Sequence, residues 1–239
     1  MQYGGDIDEV CELVNGVELV LRVDDSFNAY LLKAMKNNNG AAVFLLSDVF
    51  GFEDSGTRDF VYRLSCNGYN VLLPDLYRGE PWSKDRPRSE FEEWRRKHRP
   101  QRVASDIDIF AKWILDEFSA AGLSYKLTIV GFYFGGGRLV ETLARDIESH
   151  FGANVCFYGT RFDPSLNSHL KIPVSFIVGE NDPLCPLDLL RQMESQLKGS
   201  QVCIYTGAEN TRFAQRKRLT QGSLLFPNHE EWVKKEVVE

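Results

Sequence analysis

The sequence has no apolar run approaching the roughly 20 residues that cross a bilayer as a helix, so no membrane span is expected. Its first residues, MQYGGDIDEV, show no basic segment leading into an apolar stretch, and no signal peptide is expected. There is no CxxC pair. Cys11, Cys66, Cys156, Cys185 and Cys203 are odd in number and scattered, which argues against a disulfide framework and against a structural zinc site. Neither a metal nor another cofactor is expected, and a reducing compartment fits best. An excess of cations is also missing: 28 Lys and Arg stand against 34 Asp and Glu, a net charge of -6. That balance speaks against a general nucleic-acid binder, which needs a basic surface to neutralise phosphates, although basic patches can occur locally. With no repeat, low-complexity tract or long linker, residues 1–239 are expected to form a single domain.

What is present is the composition of a globular chain, 43% hydrophobic and 26% charged. Short β-branched and apolar runs at 17–23, 29–34, 41–47, 69–73, 127–130, 154–158, 174–178 and 202–205 read as strands. Helical patterns alternate with them. The clearest places Val103, Ile107, Phe110, Ile114 and Phe118 on one face. Others cover about 57–66, 139–149, 187–197 and 228–237. Strands apolar on both faces, alternating with helices, predict an α/β class: a doubly wound, mostly parallel sheet with helices on both faces.

Such sheets carry their chemistry in loops at the carboxyl ends of the strands. The segment at 131–137, Gly-Phe-Tyr-Phe-Gly-Gly-Gly, follows a strand and opens a helix, with Gly131 and Gly135 two positions either side of Tyr133. This is the spacing of a nucleophile elbow, a turn so tight that side chains at the flanking positions would collide with strand and helix. The helix N-terminus and the N–H of Phe134 would then help to stabilise an oxyanion. In the order nucleophile, acid, base, the three places fall on Tyr133, Asp182 and Asn210. Only the acid is a usual one.

These residues, with SDVFGFEDSGTRDF at 47–60, GYNVLLPDLYRGEPWS at 68–83, VGFYFGGGRLV at 130–140, FYGTRFDPSL at 157–166, VGENDPLCP at 178–186 and YTGAENTRFAQRKR at 205–218, run nearly end to end. The chain resembles the dienelactone hydrolase family of carboxymethylenebutenolidase-like proteins, its plant homologues above all. The resemblance implies an α/β-hydrolase fold, with a cysteine expected at Tyr133, an aspartate at Asp182 and a histidine at Asn210. It matches Asp48 to the acidic residue that cradles the resting thiolate, puts Phe134 and Val49 at the oxyanion pocket, and makes Arg216 an inherited anion contact. The family's His-Gly-Phe tripeptide is broken here, where Asn210-Thr211-Arg212-Phe213 carries an extra residue and no glycine.

A phenol with a reference pKa of about 10 supplies little phenolate at neutral pH, and an asparagine accepts no proton. Two such losses remove most of a triad mechanism. The expectation is therefore a catalytically inactive family member that binds a small carboxylate ligand or serves as a protein partner in a complex. The alternative is a weak hydrolase of small carboxylate-bearing esters or lactones, with water activated by Asp182 or Asp48. His98, His150, His169 and His229 are the remaining histidines, and none follows a core strand at the expected place. Cys185, close after Asp182, reads more readily as a small buried apolar residue than as a reactive thiol. The basic stretch Arg86, Arg88, Arg95, Arg96, Lys97, His98, Arg99 and Arg102 is interleaved with Glu90, Glu92 and Glu93, which favours a solvated helix face over an anion site. A second stretch, Arg212, Arg216, Lys217 and Arg218, is less balanced. The expected location is soluble and intracellular, in cytoplasm or, after loss of a transit peptide, chloroplast stroma.

Overall fold

The computed structural model describes residues 14–22, 26–120, 127–146, 150–161, 163–180, 182, 184–185, 187–197 and 199–205. Eight strands form one sheet: β1 (Val14–Arg22), β2 (Ser26–Ala34), β3 (Ala42–Leu46), β4 (Asn70–Pro74), β5 (Leu127–Phe132), β6 (Phe151–Phe157), β7 (Ser175–Gly179) and β8 (Gln201–Tyr205). Their order is β1-β2-β4-β3-β5-β6-β7-β8. β2 pairs antiparallel with both β1 and β4, and every later pairing is parallel. The described helices are α1 (Ser55–Cys66), α2 (Phe91–Lys97), α3 (Pro100–Ala120), α4 (Phe134–Arg145) and α5 (Leu187–Gln196). The expected doubly wound α/β sheet is present. The helix expected at 228–237 lies outside the described residues.

Strand periodicity divides the core between two faces, because successive side chains point to opposite sides. Phe44, Leu46, Leu72 and Ile129 pack with Val103, Ile107 and Phe110 of α3 and with Leu139, Val140 and Leu143 of α4. Val43, Leu45, Val71, Leu73 and Val130 pack with Phe60, Val61 and Leu64 of α1 on the opposite side. Burial on both faces is why the central strands lack polar alternation. The α1 N-terminus is capped by Asp54, whose side chain accepts N–H bonds from Gly56 and Thr57 at 3.1 and 3.3 Å.

Several boundaries differ from the sequence expectation: β1 and β2 begin at Val14 and Ser26 rather than at 17 and 29, and α4 ends at Arg145 rather than near 149. α4 begins at Phe134 rather than near 139, because Gly135, Gly136 and Gly137 carry poor helix propensity but let the helix pack against backbone. β6 begins at Phe151 rather than 154, and its pairing with β5 has a register irregularity between Leu127 and Thr128.

Candidate functional site

β3 and β5 are parallel neighbours, with Leu46 opposite Gly131, so the loops leaving their carboxyl ends lie side by side. β5 is buried throughout and delivers Tyr133 directly into α4. Tyr133 has φ 50° and ψ -108°, a conformation that costs a bulky residue on the order of 1–3 kcal/mol. Its backbone shows what holds it there. The N–H donates to Phe157 O at 3.0 Å, and the carbonyl accepts from Thr160 at 3.0 Å, Gly136 at 3.1 Å and Gly137 at 3.3 Å.

The flanking glycines are required by close approach. A Cβ on Gly131 would stand 2.6 Å from Gly135 O, and one on Gly135 would run into the carbonyl oxygens of Leu46 and Ser47. The turn therefore presses against the end of β3, where residues 47–51 begin. Phe134 and Gly135 open α4 ahead of its first intrahelical bond, so their N–H groups belong to the unsatisfied donors of a helix start. Beside them Asp48 is 5% exposed, and its Oδ1 accepts the Phe50 N–H at 2.8 Å. Val49 is buried and its carbonyl accepts the Trp82 N–H at 2.8 Å.

Asp182 follows β7, which is separated from β5 by β6 alone. It is 8% exposed, and Oδ1 accepts the Leu184 N–H at 2.9 Å. Cys185 is fully buried. Desolvation, with Cys156 and Asp182 adding to it, pushes its thiol well above the ordinary range, which suits an inert packing residue. Asn210, Arg216 and His229 lie outside the described residues, as do Arg212, Lys217 and Arg218.

The described histidines sit away from the turn. His150 is at the amino end of β6, its Nδ1 2.8 Å from Asp146 Oδ1, and His169 ends a short 3-10 turn, Pro164–His169. His98 is buried at the α2–α3 corner, where its Nδ1 stands 2.9 Å from Arg102 Nη2. A guanidinium can only donate, so that nitrogen must be an unprotonated acceptor. Burial first and the Arg102 charge second lower its pKa to about 4.

Sequence reasoning missed two residues beneath the turn. Arg138, one helical turn past Phe134, has a side chain 5% exposed, and Tyr77 from the loop after β4 is 0% exposed. Arg138 Nη2 meets Glu141 Oε1 at 2.8 Å, while its Nε and Nη1 and the Tyr77 hydroxyl are buried without a hydrogen-bond partner among the described residues. Desolvation, reinforced by Asp48 and opposed by Arg138, keeps Tyr77 a neutral phenol. The available signal was the spacing of Phe134 and Arg138, which an i, i+4 step puts on one face of the helix. No group of His, Cys, Asp and Glu suited to a metal occurs among the described residues, and none of their helices is long and apolar enough to cross a membrane.

The strand order and the strained strand-to-helix turn define a protein of the α/β-hydrolase fold. The dienelactone hydrolase family model matches residues 27–229, and the chain belongs to that family. It is 30% identical to the human carboxymethylenebutenolidase homolog over 81% of this chain and 78% of the human protein. A maize endo-1,3;1,4-beta-D-glucanase is 29% identical over 73% of this chain and 53% of its own length, so the plant protein matches no better than the human one. The fold is shared with a candidate dienelactone hydrolase from Klebsiella pneumoniae, with a TM-score of 0.70 at 22% identity, covering 87% of this chain and 95% of that one.

Proposed function

We propose that this family member is catalytically inactive, and that its cleft binds a small carboxylate-bearing ligand or its fold serves as a subunit of a complex. The observation that carries the reading is Tyr133 at the positive-φ position of the elbow. The sequence puts a phenol where a nucleophile would stand and, at Asn210, an amide where a base would stand. A phenol of ordinary pKa near 10 stays protonated at neutral pH, and without a proton acceptor it attacks esters poorly. Arg216 is the residue we assign to anion contact. The buried, unoxidised thiols of Cys156 and Cys185 are in keeping with a reducing compartment, cytoplasm or plastid stroma.

The test is hydrolysis of an activated aryl ester and of a dienelactone by the purified chain. Turnover indistinguishable from buffer supports the proposal. Turnover well above buffer that Tyr133→Phe abolishes would overturn it.

A second reading, a weak hydrolase of small esters or lactones, draws on two buried carboxylates, Asp48 and Asp182, at the ends of β3 and β7. Activity that survives Tyr133→Phe but falls with Asp182→Asn or Asp48→Asn would favour it.

A further inference from the structure

We infer that the concave surface at the α2–α3 corner, built from Arg96, Lys97 and Arg99 with Glu93 at its edge, docks an acidic segment of a protein partner. The inference concerns a face of the molecule apart from the elbow, and stands whether or not the elbow is catalytic.

These four residues line a shallow depression of about 540 Å³, widely open to solvent. The charges around it have been sorted by the fold. Arg95 is taken up by Glu92 at 2.6 Å, Arg86 lies 3.5 Å from Glu90, and Arg78 and Arg102 are both committed to Asp106. Among the described residues, what remains around it is three cations, Arg96, Lys97 and Arg99, against one carboxylate, Glu93. Among the described residues Lys97 and Arg99 make no ion pair or side-chain hydrogen bond, and Arg96 makes only a 3.4 Å bond to the Glu92 carbonyl. The interleaved glutamates therefore pair with Arg86 and Arg95 and leave the cations at the end of the stretch without an ion pair among the described residues. Cations in the last turn of α2 suit the helix dipole, but Arg99 lies beyond that helix, and the dipole does not account for it.

On a chain of net charge -6, a concave cationic patch is a local minimum for an approaching anion and steers it to one place. The surroundings select the kind of anion. Single-stranded nucleic acid needs exposed rings for stacking, yet Trp94 and Trp82 are 2% and 8% exposed and point into the core. A lipid surface needs apolar side chains to insert, yet the exposed large apolar residues among those described are Met35 and Leu184, neither of them here. A carboxylate-rich polypeptide asks only for spaced guanidinium and ammonium donors, which this surface presents.

Fluorescence anisotropy of a labelled decaglutamate peptide, titrated with the full chain, tests this. We expect saturable binding that weakens several-fold as salt rises from about 50 to about 200 mM, and that loses about tenfold or more in R96E/K97E/R99E. Glu93→Gln should tighten it by roughly twofold to threefold, because it removes the one carboxylate at the rim. The substituted side chains are exposed, and an unchanged thermal melt confirms the fold of each variant. Absence of peptide binding, or binding that the triple reversal leaves intact, would overturn the inference. So would tighter binding through the same three residues of oligothymidylate or phosphatidylserine vesicles. Neither result bears on ester hydrolysis, so this inference and the proposed inactivity fail independently.

Discussion

The guanidinium of Arg138 lies over the ring of Phe134, 5.0 Å from its centroid, so a buried cation backs the first residue of the elbow helix. Among the described residues its one carboxylate partner is Glu141, and two of its nitrogens have no hydrogen-bond partner. Each unmet buried donor costs about 1–3 kcal/mol. Such a group is held in place by the surrounding packing rather than by its own bonds.

The first expectation follows from that imbalance. Glu141→Gln strips Arg138 of its counter-charge and should destabilise the fold by about 2–3 kcal/mol, because it leaves a buried charge unpaired. The double variant Arg138→Met/Glu141→Gln removes both charges, and should be at least as stable as the parent. Urea unfolding measures both, and a double variant less stable than Glu141→Gln alone would refute the account.

Asp106 is 1% exposed and receives three bonds: Arg78 Nε at 3.1 Å, Arg78 Nη2 at 2.8 Å and Arg102 Nη1 at 2.7 Å. Arg102 also donates to Leu76 O at 2.9 Å, which ties α3 to the loop after β4. Asp106→Ala should cost about 3 kcal/mol or more and speed amide exchange in residues 75–82. A loss below about 1 kcal/mol would show that the pair is solvated rather than structural.

His98 predicts a pH dependence with a definite sign. Its folded pKa, about 4, lies below the ordinary value of 6.5, so between those values the unfolded chain binds the proton more readily than the folded one. Stability from this group is unaffected above about pH 6.5 and declines as pH falls towards 4, by up to about 3 kcal/mol in all. His98→Gln should flatten that part of the profile relative to the parent. Parallel stability curves from pH 7 to 4 would contradict the buried neutral imidazole.

Close approach at the elbow gives a third kind of test. Gly135→Ala sets a methyl against the Leu46 and Ser47 carbonyl oxygens, which are backbone and cannot swing aside. A loss of about 3 kcal/mol or failure to fold is expected, at or beyond the upper end of ordinary overpacking. Thermal melting decides it, and a near-neutral alanine would mean that the strand-to-helix turn is looser than described.

Rebuilding the triad addresses function. Tyr133→Cys combined with Asn210→His should bring measurable but partial ester hydrolysis, because the sequence after Asn210 carries one residue more than the family tripeptide and lacks its glycine. Steady-state kcat and KM on an aryl ester would report it. Full recovery to the rate of an active family member would count against that loop argument.

Hydrophobic patterning by itself determined the eight strands, because a run such as Ala-Val-Phe-Leu-Leu at Ala42–Leu46 can be accommodated only where both faces are covered. It also determined the elbow, since two glycines around one residue between a buried strand and a helix leave few other geometries. Its weak points were local. Three glycines concealed the first turn of α4, whose stability comes from packing and not propensity. Charge interleaving in 86–102 read as a solvated helix face, and Lys97 and Arg99 are exposed; what spacing could not show is that Arg86 and Arg95 pair with glutamates while Lys97 and Arg99 have no ion-pair partner among the described residues. Which ionisable groups are desolvated depends on elements distant in sequence closing over them. Arg138, Tyr77, Asp106 and His98 are ordinary polar residues in the linear chain, and tertiary structure alone made them buried, because burial is a property of what packs on top.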